Sequence, residues 1–212
     1  MKETRVTEEN KLMTGDMVIC ALFVALIVAG AYIKIMIPIG PFSVTFSLQF
    51  LFSLMAGLML GARRGALTVT VYLLLGLIGL PVFAHGGGIG YLVRPTFGFL
   101  LGFLAAAFIA GLIIERTGTR SVGSYILAAA AGEAAYYLCG LVYYYFVFNY
   151  VVTEGGAGIG IRELIAVWCL STVLPDFGLA LLAVVLSRQL IRYLPAGVSA
   201  ASQHTDRKEN RR

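Results

Sequence analysis

Three ionisable side chains stand where an apolar chain has little reason to keep them. Asp176 lies in CLSTVLPDFGLALLAVVL, with a side chain too short to reach either end of such a run. Glu133 lies in AAAGEAAYYLCG. Arg94 lies in HGGGIGYLVRPTFGFLLGF, nineteen positions without an acidic residue to neutralise it. A charge at the centre of a membrane helix costs on the order of 2.5–3.5 kcal/mol on insertion scales, so each asks for a reason. Arg94 is at the end of its run, where a long side chain can snorkel to water at small cost. Asp176 has no such escape. The neighbouring Pro175 removes a helical donor, which frees a carbonyl and opens room for a pocket. For Glu133, a packing hydrogen bond, a place in a proton path and a ligand contact are all compatible with the sequence.

Aromatic residues surround these charges. Tyr136, Tyr137, Tyr143, Tyr144, Tyr145 and Tyr150 crowd one run, with Tyr137, Gly140 and Tyr144 on one helical face. The tyrosines nearest the run's end fit an interfacial belt, and the deeper ones fit walls for a flat ligand. Trp168, the single tryptophan, suits either role. Several chemistries are excluded by the absence of their spacing: there is no GxxxxGK[ST] phosphate loop, no HExxH pair and no GxSxG elbow. The two histidines, His85 and His204, are far apart in sequence. No enzyme activity, cofactor or metal site is expected, and any uphill transport must draw on a partner or an ion gradient.

The elements that must hold these residues are membrane helices. With 59% hydrophobic and 13% charged residues and a mean hydropathy of +0.87, the chain departs far from soluble composition. Apolar runs predict six spans: Met17–Ile37, Phe46–Gly61, Gly65–Leu80, Leu92–Ile114, Ser124–Tyr150 and Leu164–Leu186. They form one bundle over about residues 15–192, between polar tails at 1–14 and 193–212. The charged opening MKETRVTEENKL, followed by a run long enough to span, predicts a retained first helix. Cys20, Cys139 and Cys169 are odd in number and lie in apolar runs, as buried small hydrophobes do.

An even number of spans puts both termini on one side. Lys2, Arg5, Lys11, Arg63, Arg64, Arg116, Arg120, Arg188, Arg192, Arg207, Lys208, Arg211 and Arg212 share it, against Lys34, Arg94 and Arg162 opposite. Both termini are therefore predicted cytoplasmic, and the basic tail answers to membrane insertion and not to nucleic acid. The outer segments are Lys34–Thr45, Val82–Tyr91 and Val151–Glu163, all rich in Gly or Pro and predicted to be irregular. That asymmetry points to a site opening outward. Small residues recur every four positions at Ala21, Ala25 and Ala29, and again at Gly98, Gly102, Ala106 and Ala110. Such rows let helix backbones approach closely, either within the bundle or against another membrane subunit.

Three stretches carry a resemblance: IPIGPFSVTFSLQF at 37–50, AGLMLGARRGALTVTVYLLLGLIGLPVFAHGGGIGYLVRPTFGFLLGF at 56–103 and LSTVLPDF at 170–177. Together they resemble the BioY family, the biotin-binding membrane subunits (S components) of energy-coupling-factor (ECF) transporters, over most of the chain from about Met17 to Arg192. The resemblance implies an all-α bundle of six transmembrane helices with both termini cytoplasmic, in a prokaryotic plasma membrane. It also implies biotin as ligand, a pocket toward the outer face, and partnership with a transmembrane coupling subunit and two cytoplasmic ATPase subunits. Ala21, Ala25 and Ala29 would dock on the coupling subunit.

The resemblance carries Arg94 and Asp176 into the pocket, where a guanidinium matches a ligand carboxylate and a carboxylate matches two ureido N–H groups. Gly87, Gly88 and Tyr91 of the glycine loop, Gln49, Tyr144 and Trp168 complete the candidate substrate-binding set. The chain departs from the family pattern at Leu179, where many members have lysine, at Pro175 before the aspartate, and at Thr45, where proline is frequent. A related carboxylate such as lipoate is therefore a second candidate ligand. An autonomous ion-coupled carrier using Glu133 and Asp176 is a reading of another class, against which stand the small size and the lack of an inverted repeat.

Overall fold

The computed structural model describes residues 2–39, 42–118, 121–153 and 158–193, with side chains at 15–36, 45–118, 121–153, 158–168 and 172–193. Among the described residues six α-helices run in order: α1 Lys2–Tyr32, α2 Gln49–Leu60, α3 Ala62–Leu77, α4 Phe97–Thr117, α5 Val122–Val147 and α6 Ile161–Leu190. Four segments are long and apolar enough to cross a membrane, Gly15–Tyr32, Phe97–Thr117, Val122–Val152 and Thr172–Tyr193. The protein is thus a mostly helical, multi-pass membrane protein.

The first predicted outer segment is not irregular. Residues Lys34–Ile39 (β1) and Phe42–Ser47 (β2) pair antiparallel from Lys34↔Ser47 to Ile39↔Phe42. Ile, Val, Thr and Phe suit extended backbone, and Pro38 is tolerated because a two-stranded ribbon has only edges. The expectation of an all-α chain is amended by this hairpin, and the first span ends at Tyr32 instead of Ile37. Its connecting Gly40 and Pro41 lie outside the described residues, as do Glu154–Ala157 of the third outer segment and the tail beyond Tyr193. So do Arg120, Arg207, Lys208, Arg211, Arg212 and His204, and the side chains of Lys2, Arg5, Lys11 and Cys169.

Two other boundaries shift for local reasons. The fourth span was expected from Leu92, but Ile89–Val93 is a 3-10 turn and α4 begins after Pro95, whose missing N–H and fixed φ suit a position just ahead of a helix. α6 continues through Pro175 without interruption.

α2 is only twelve residues long, about 18 Å at about 1.5 Å per residue, short of a bilayer core about 30 Å thick. Its apolar character has another cause: every residue except Phe52 is buried. It is a core helix, wrapped by α1, α3, α4 and α6. Gly61 alone, at φ 88°, turns the chain from α2 into α3, a left-handed conformation that favours glycine. The first free N–H of α3, at Ala62, is capped at 2.8 Å by Glu115 of α4, and Arg64 pairs with Asp16 of α1.

The two rows of small residues have different fates. Gly98 and Gly102 of α4 face Tyr143 and Tyr136 of α5, and Ala106 and Ala110 are fully buried, so this row is an internal α4–α5 seam. Ala21, Ala25 and Ala29 are all exposed along α1, while Phe23, Val24 and Ile27 of the same helix face the core.

Helix backbones meet very closely between α2 and α4, where a β-carbon on Gly57 would overlap the carbonyl of Ala107. Overpacking a core costs about 1–3 kcal/mol. Gly57→Ala is expected to lower the melting temperature of the detergent-purified protein by several degrees, whereas Gly15→Ala, with open space where its β-carbon would stand, should leave it unchanged or raise it, as alanine is the better helix former.

Candidate functional site

α6 presents Trp168, Thr172 and Asp176 at successive intervals of four, on one face, and all three are buried at 5%, 6% and 3% exposure. They line a cavity beneath the hairpin, closed by α2, α4 and α5. Thr45, Phe46 and Ser47 of β2, with Ala84 and His85, form its roof. Phe50, Phe99, Phe103 and Tyr136 form its aromatic walls. The walls are fixed against one another: Phe103 and Tyr136 stack at 5.4 Å, Phe50 lies 4.8 Å from Tyr136, and Phe99 lies 4.8 Å from Trp168.

At the Asp176 end of the cavity the polar groups form a chain. The Tyr137 hydroxyl donates to Asp176 Oδ2 at 2.6 Å, and Thr172 Oγ1, with one proton to give, lies within reach of two acceptors, the Tyr137 oxygen at 2.8 Å and the Trp168 carbonyl at 2.6 Å. Among the described residues no hydrogen bond reaches Asp176 Oδ1 and no cation pairs with the carboxylate. One phenol is thin compensation for a buried acid, so the site has capacity for ligand N–H or O–H donors.

The roof is tied down by three contacts: Tyr32 Oη donates to the Pro81 carbonyl at 2.6 Å, Lys34 Nζ to the Ala84 carbonyl, and Thr45 Oγ1 lies 3.3 Å from His85 Nε2. Arg94 is exposed beside this roof. Its guanidinium carbon sits 4.8 Å from the ring centre of Tyr91, which itself lines the cavity. No acidic residue pairs with Arg94 among the described residues. Burial first, and then the charges of Lys34 and Arg94, hold the His85 imidazole below its ordinary pKa of 6.5. The mouth is therefore a basic rim, and the carboxylate of Asp176 stands at the opposite pole.

The sequence-predicted residues thus distribute unevenly. Gln49, Tyr91, Trp168 and Asp176 line the cavity. Arg94 stands at the rim on Tyr91. Tyr144 packs behind Trp168, ring centres 5.1 Å apart. Gly87 and Gly88 are also set back. The Gly88 N–H donates to the Gly76 carbonyl at 2.7 Å, and Gly87 lies so close to the Leu80 carbonyl that no side chain fits; they anchor the loop that presents His85. Gln49 spends its amide on Tyr72, and its carbonyl accepts from Ser47 at 3.0 Å. Glu133 is buried on α5 and is not part of the lining. Lining residues outside the candidate set include Thr45, Phe50, His85, Phe99, Phe103, Tyr136 and Thr172. Thr172 had a signal in its spacing of four from both Trp168 and Asp176, and His85 in its place beside the glycine run.

A helical membrane bundle with a closed, aromatic-walled cavity, acidic at one pole and basic at its mouth, is the architecture of a small-molecule binding subunit. The BioY family model matches residues 2–196. The chain is 35% identical to the probable biotin transporter BioY of Lysinibacillus sphaericus over 84% of its own length and 88% of the relative's. It is 40% identical to the biotin transporter BioY of Thermotoga maritima over 69% and 82% of the two chains. Among solved structures it resembles the S-component for biotin from an ECF-type ABC transporter, with a TM-score of 0.74 and 25% identity, covering 86% of this chain and 94% of that one. The chain belongs to the BioY family.

The depressed His85 pKa makes a prediction with a definite sign. The folded state disfavours the imidazolium, so it binds fewer protons than the unfolded chain below about pH 6.5, and stability falls with acidification. Ring-labelled histidine NMR should show His85 titrating below 6.5. The loss of melting temperature between pH 7 and pH 5 should be smaller in His85→Gln than in the parent.

Proposed function

We propose that this chain is the substrate-binding membrane subunit of an ECF-type uptake transporter for biotin. The observation that carries the reading is the buried Asp176 carboxylate, one oxygen without a donor, facing an aromatic cavity whose mouth is basic. Biotin has the matching polarity. Its ureido ring supplies two N–H donors to Asp176, its fused bicycle fills the slot between Phe99, Tyr136 and Trp168, and its valerate carboxylate ends at the rim. There Arg94, turned from Tyr91 toward the ligand, binds it in bidentate fashion with His85 beside it. Water exclusion beneath the roof strengthens both polar contacts. Family membership and the biotin-specific S-component neighbour support the assignment.

The bundle sits with all six helices in the membrane, α2 enclosed by the others and too short to cross by itself, both termini cytoplasmic and the hairpin end outside. The basic residues Arg63, Arg64, Arg116, Arg188 and Arg192 at the opposite helix ends support that orientation. Transport follows from reorientation of the whole subunit, driven by two ATPase subunits through a coupling subunit docked on Ala21, Ala25 and Ala29. The exposure of all three supports the docking face.

Purified protein should bind radiolabelled biotin at submicromolar concentration, and lipoate binding in its place would replace the ligand assignment. Hydrogen bonds to a charged group are worth about 1.5–3 kcal/mol each, and about 1.4 kcal/mol is tenfold in affinity. Asp176→Ala should therefore weaken biotin binding by about a hundredfold or more. In a complex reconstituted with its partners, Ala25→Leu should abolish uptake and leave binding in the isolated subunit intact. Equal loss of both would contradict docking.

A further inference from the structure

We propose that Tyr137, backed by Thr172, is the positioning residue that aims Asp176 at the ligand. The proposal rests on the ligand assignment above and goes beyond it.

An aspartate has two side-chain torsions, and in a cavity wall of aromatic and aliphatic groups nothing apolar selects between its orientations. The selection is made from across the helix interface. Tyr137 of α5 donates to Oδ2 at 2.6 Å, on the short side for a hydroxyl to a carboxylate. The phenol is itself held as an acceptor: the single Thr172 Oγ1 proton lies between the Tyr137 oxygen at 2.8 Å and the Trp168 carbonyl one turn earlier on α6 at 2.6 Å, and serves both. Ring packing fixes the rest of Tyr137, whose neighbour Tyr136 meets it edge-on at 5.0 Å. Tyrosine, threonine and aspartate are each at least nine-tenths buried. The carboxylate is thereby tethered by one oxygen, and Oδ1 is the oxygen left without a donor among the described residues.

Two consequences follow. The tether supplies orientation ahead of binding, so the ligand does not spend its own interaction energy on ordering the acid. It also limits what the acid accepts: Oδ1 is open, while Oδ2 already holds one bond and offers a single remaining direction. A planar ligand edge with two parallel N–H groups satisfies both oxygens, and a ligand with a single donor satisfies one. Tyr137 therefore acts on affinity and on ligand choice through Asp176, without being a contact of its own.

The test uses the single tryptophan in the cavity wall as reporter, following its fluorescence during biotin titration of the full chain in nanodiscs. Tyr137→Phe keeps the ring and removes the donor, and should weaken biotin binding by about tenfold. In an Asp176→Asn background, Tyr137→Phe should add less than about twofold, because the two residues act as a unit. Loss of comparable size in both backgrounds, or binding unchanged in Tyr137→Phe, overturns the positioning role while leaving parental biotin binding, and with it the ligand assignment, in place. A parent that binds no biotin removes the assignment itself. Should Tyr137→Phe fail to fold, the pair at Thr172 decides: Thr172→Ser should retain affinity and Thr172→Val should lose it by several-fold, and equal affinities overturn the proposal.

Discussion

A carboxylate 3% exposed in the middle of an apolar bundle is the constraint around which the rest of the structure is arranged. It cannot be placed by hydrophobic packing, because packing rewards only shape and the burial of apolar surface. It needs a donor at a fixed place, and the nearest backbone is committed to the helix. Tyr137 meets that need only because α5 lies close to α6, and its opposite face must be held as firmly. The glycines at the α4–α5 seam allow it. Gly98 and Gly102 accept Tyr143 and Tyr136 where any side chain would collide, and Gly140 accepts the ring of Phe99. Removing bulk from one side of α5 sets the depth at which its tyrosines reach the other.

The two ends of the bundle are built to different standards. At one end a single residue, Gly61, joins α2 to α3, Glu115 of α4 caps Ala62, and Arg64 pairs with Asp16 of α1. Those are charge-assisted contacts from one helix to another. At the other end the cavity is covered by a hairpin and a loop that meet through three side chains, Tyr32 and Lys34 on the Pro81 and Ala84 carbonyls and Thr45 on the His85 ring. Breaking such contacts exposes groups that water satisfies at once. An end tied by a few exchangeable hydrogen bonds opens at far lower cost than one sealed by core packing.

The sequence made some of this legible and hid the rest for physical reasons. Asp176 stood out because an acid in an apolar run has no cheap explanation, and the structure duly sets it in the cavity wall. Thr172 did not, because a threonine in a membrane helix returns its hydroxyl to its own backbone so often that its residue type says little, and only its spacing of four from Trp168 and Asp176 marked it. The hairpin was hidden by its composition: Gly and Pro at 38–41 read as irregular chain, and the alternation in FSVTFS is too short to outweigh them. α2 and α3 read as short spans because hydrophobicity reports burial without telling lipid from protein, and α2 is surrounded by protein. The two small-residue rows were indistinguishable by spacing, and only the packing separates the α4 row, which is internal, from the α1 row, which is exposed.

That last difference links the two ends of the molecule. α1 is one helix from Lys2 to Tyr32, and a single residue, Ile33, separates it from β1. Its exposed alanines and its core-facing Phe23, Val24 and Ile27 lie on opposite sides, so a load applied to the alanine face is transmitted to α2 through side chains with no room to give. At its far end Tyr32 and Lys34 are the residues that hold the roof to Pro81 and Ala84. α1 therefore cannot tilt relative to the core without straining the contacts that close the cavity. In the docking proposed above, the helix that meets the partner is also the one whose far end is tied to the roof of the cavity.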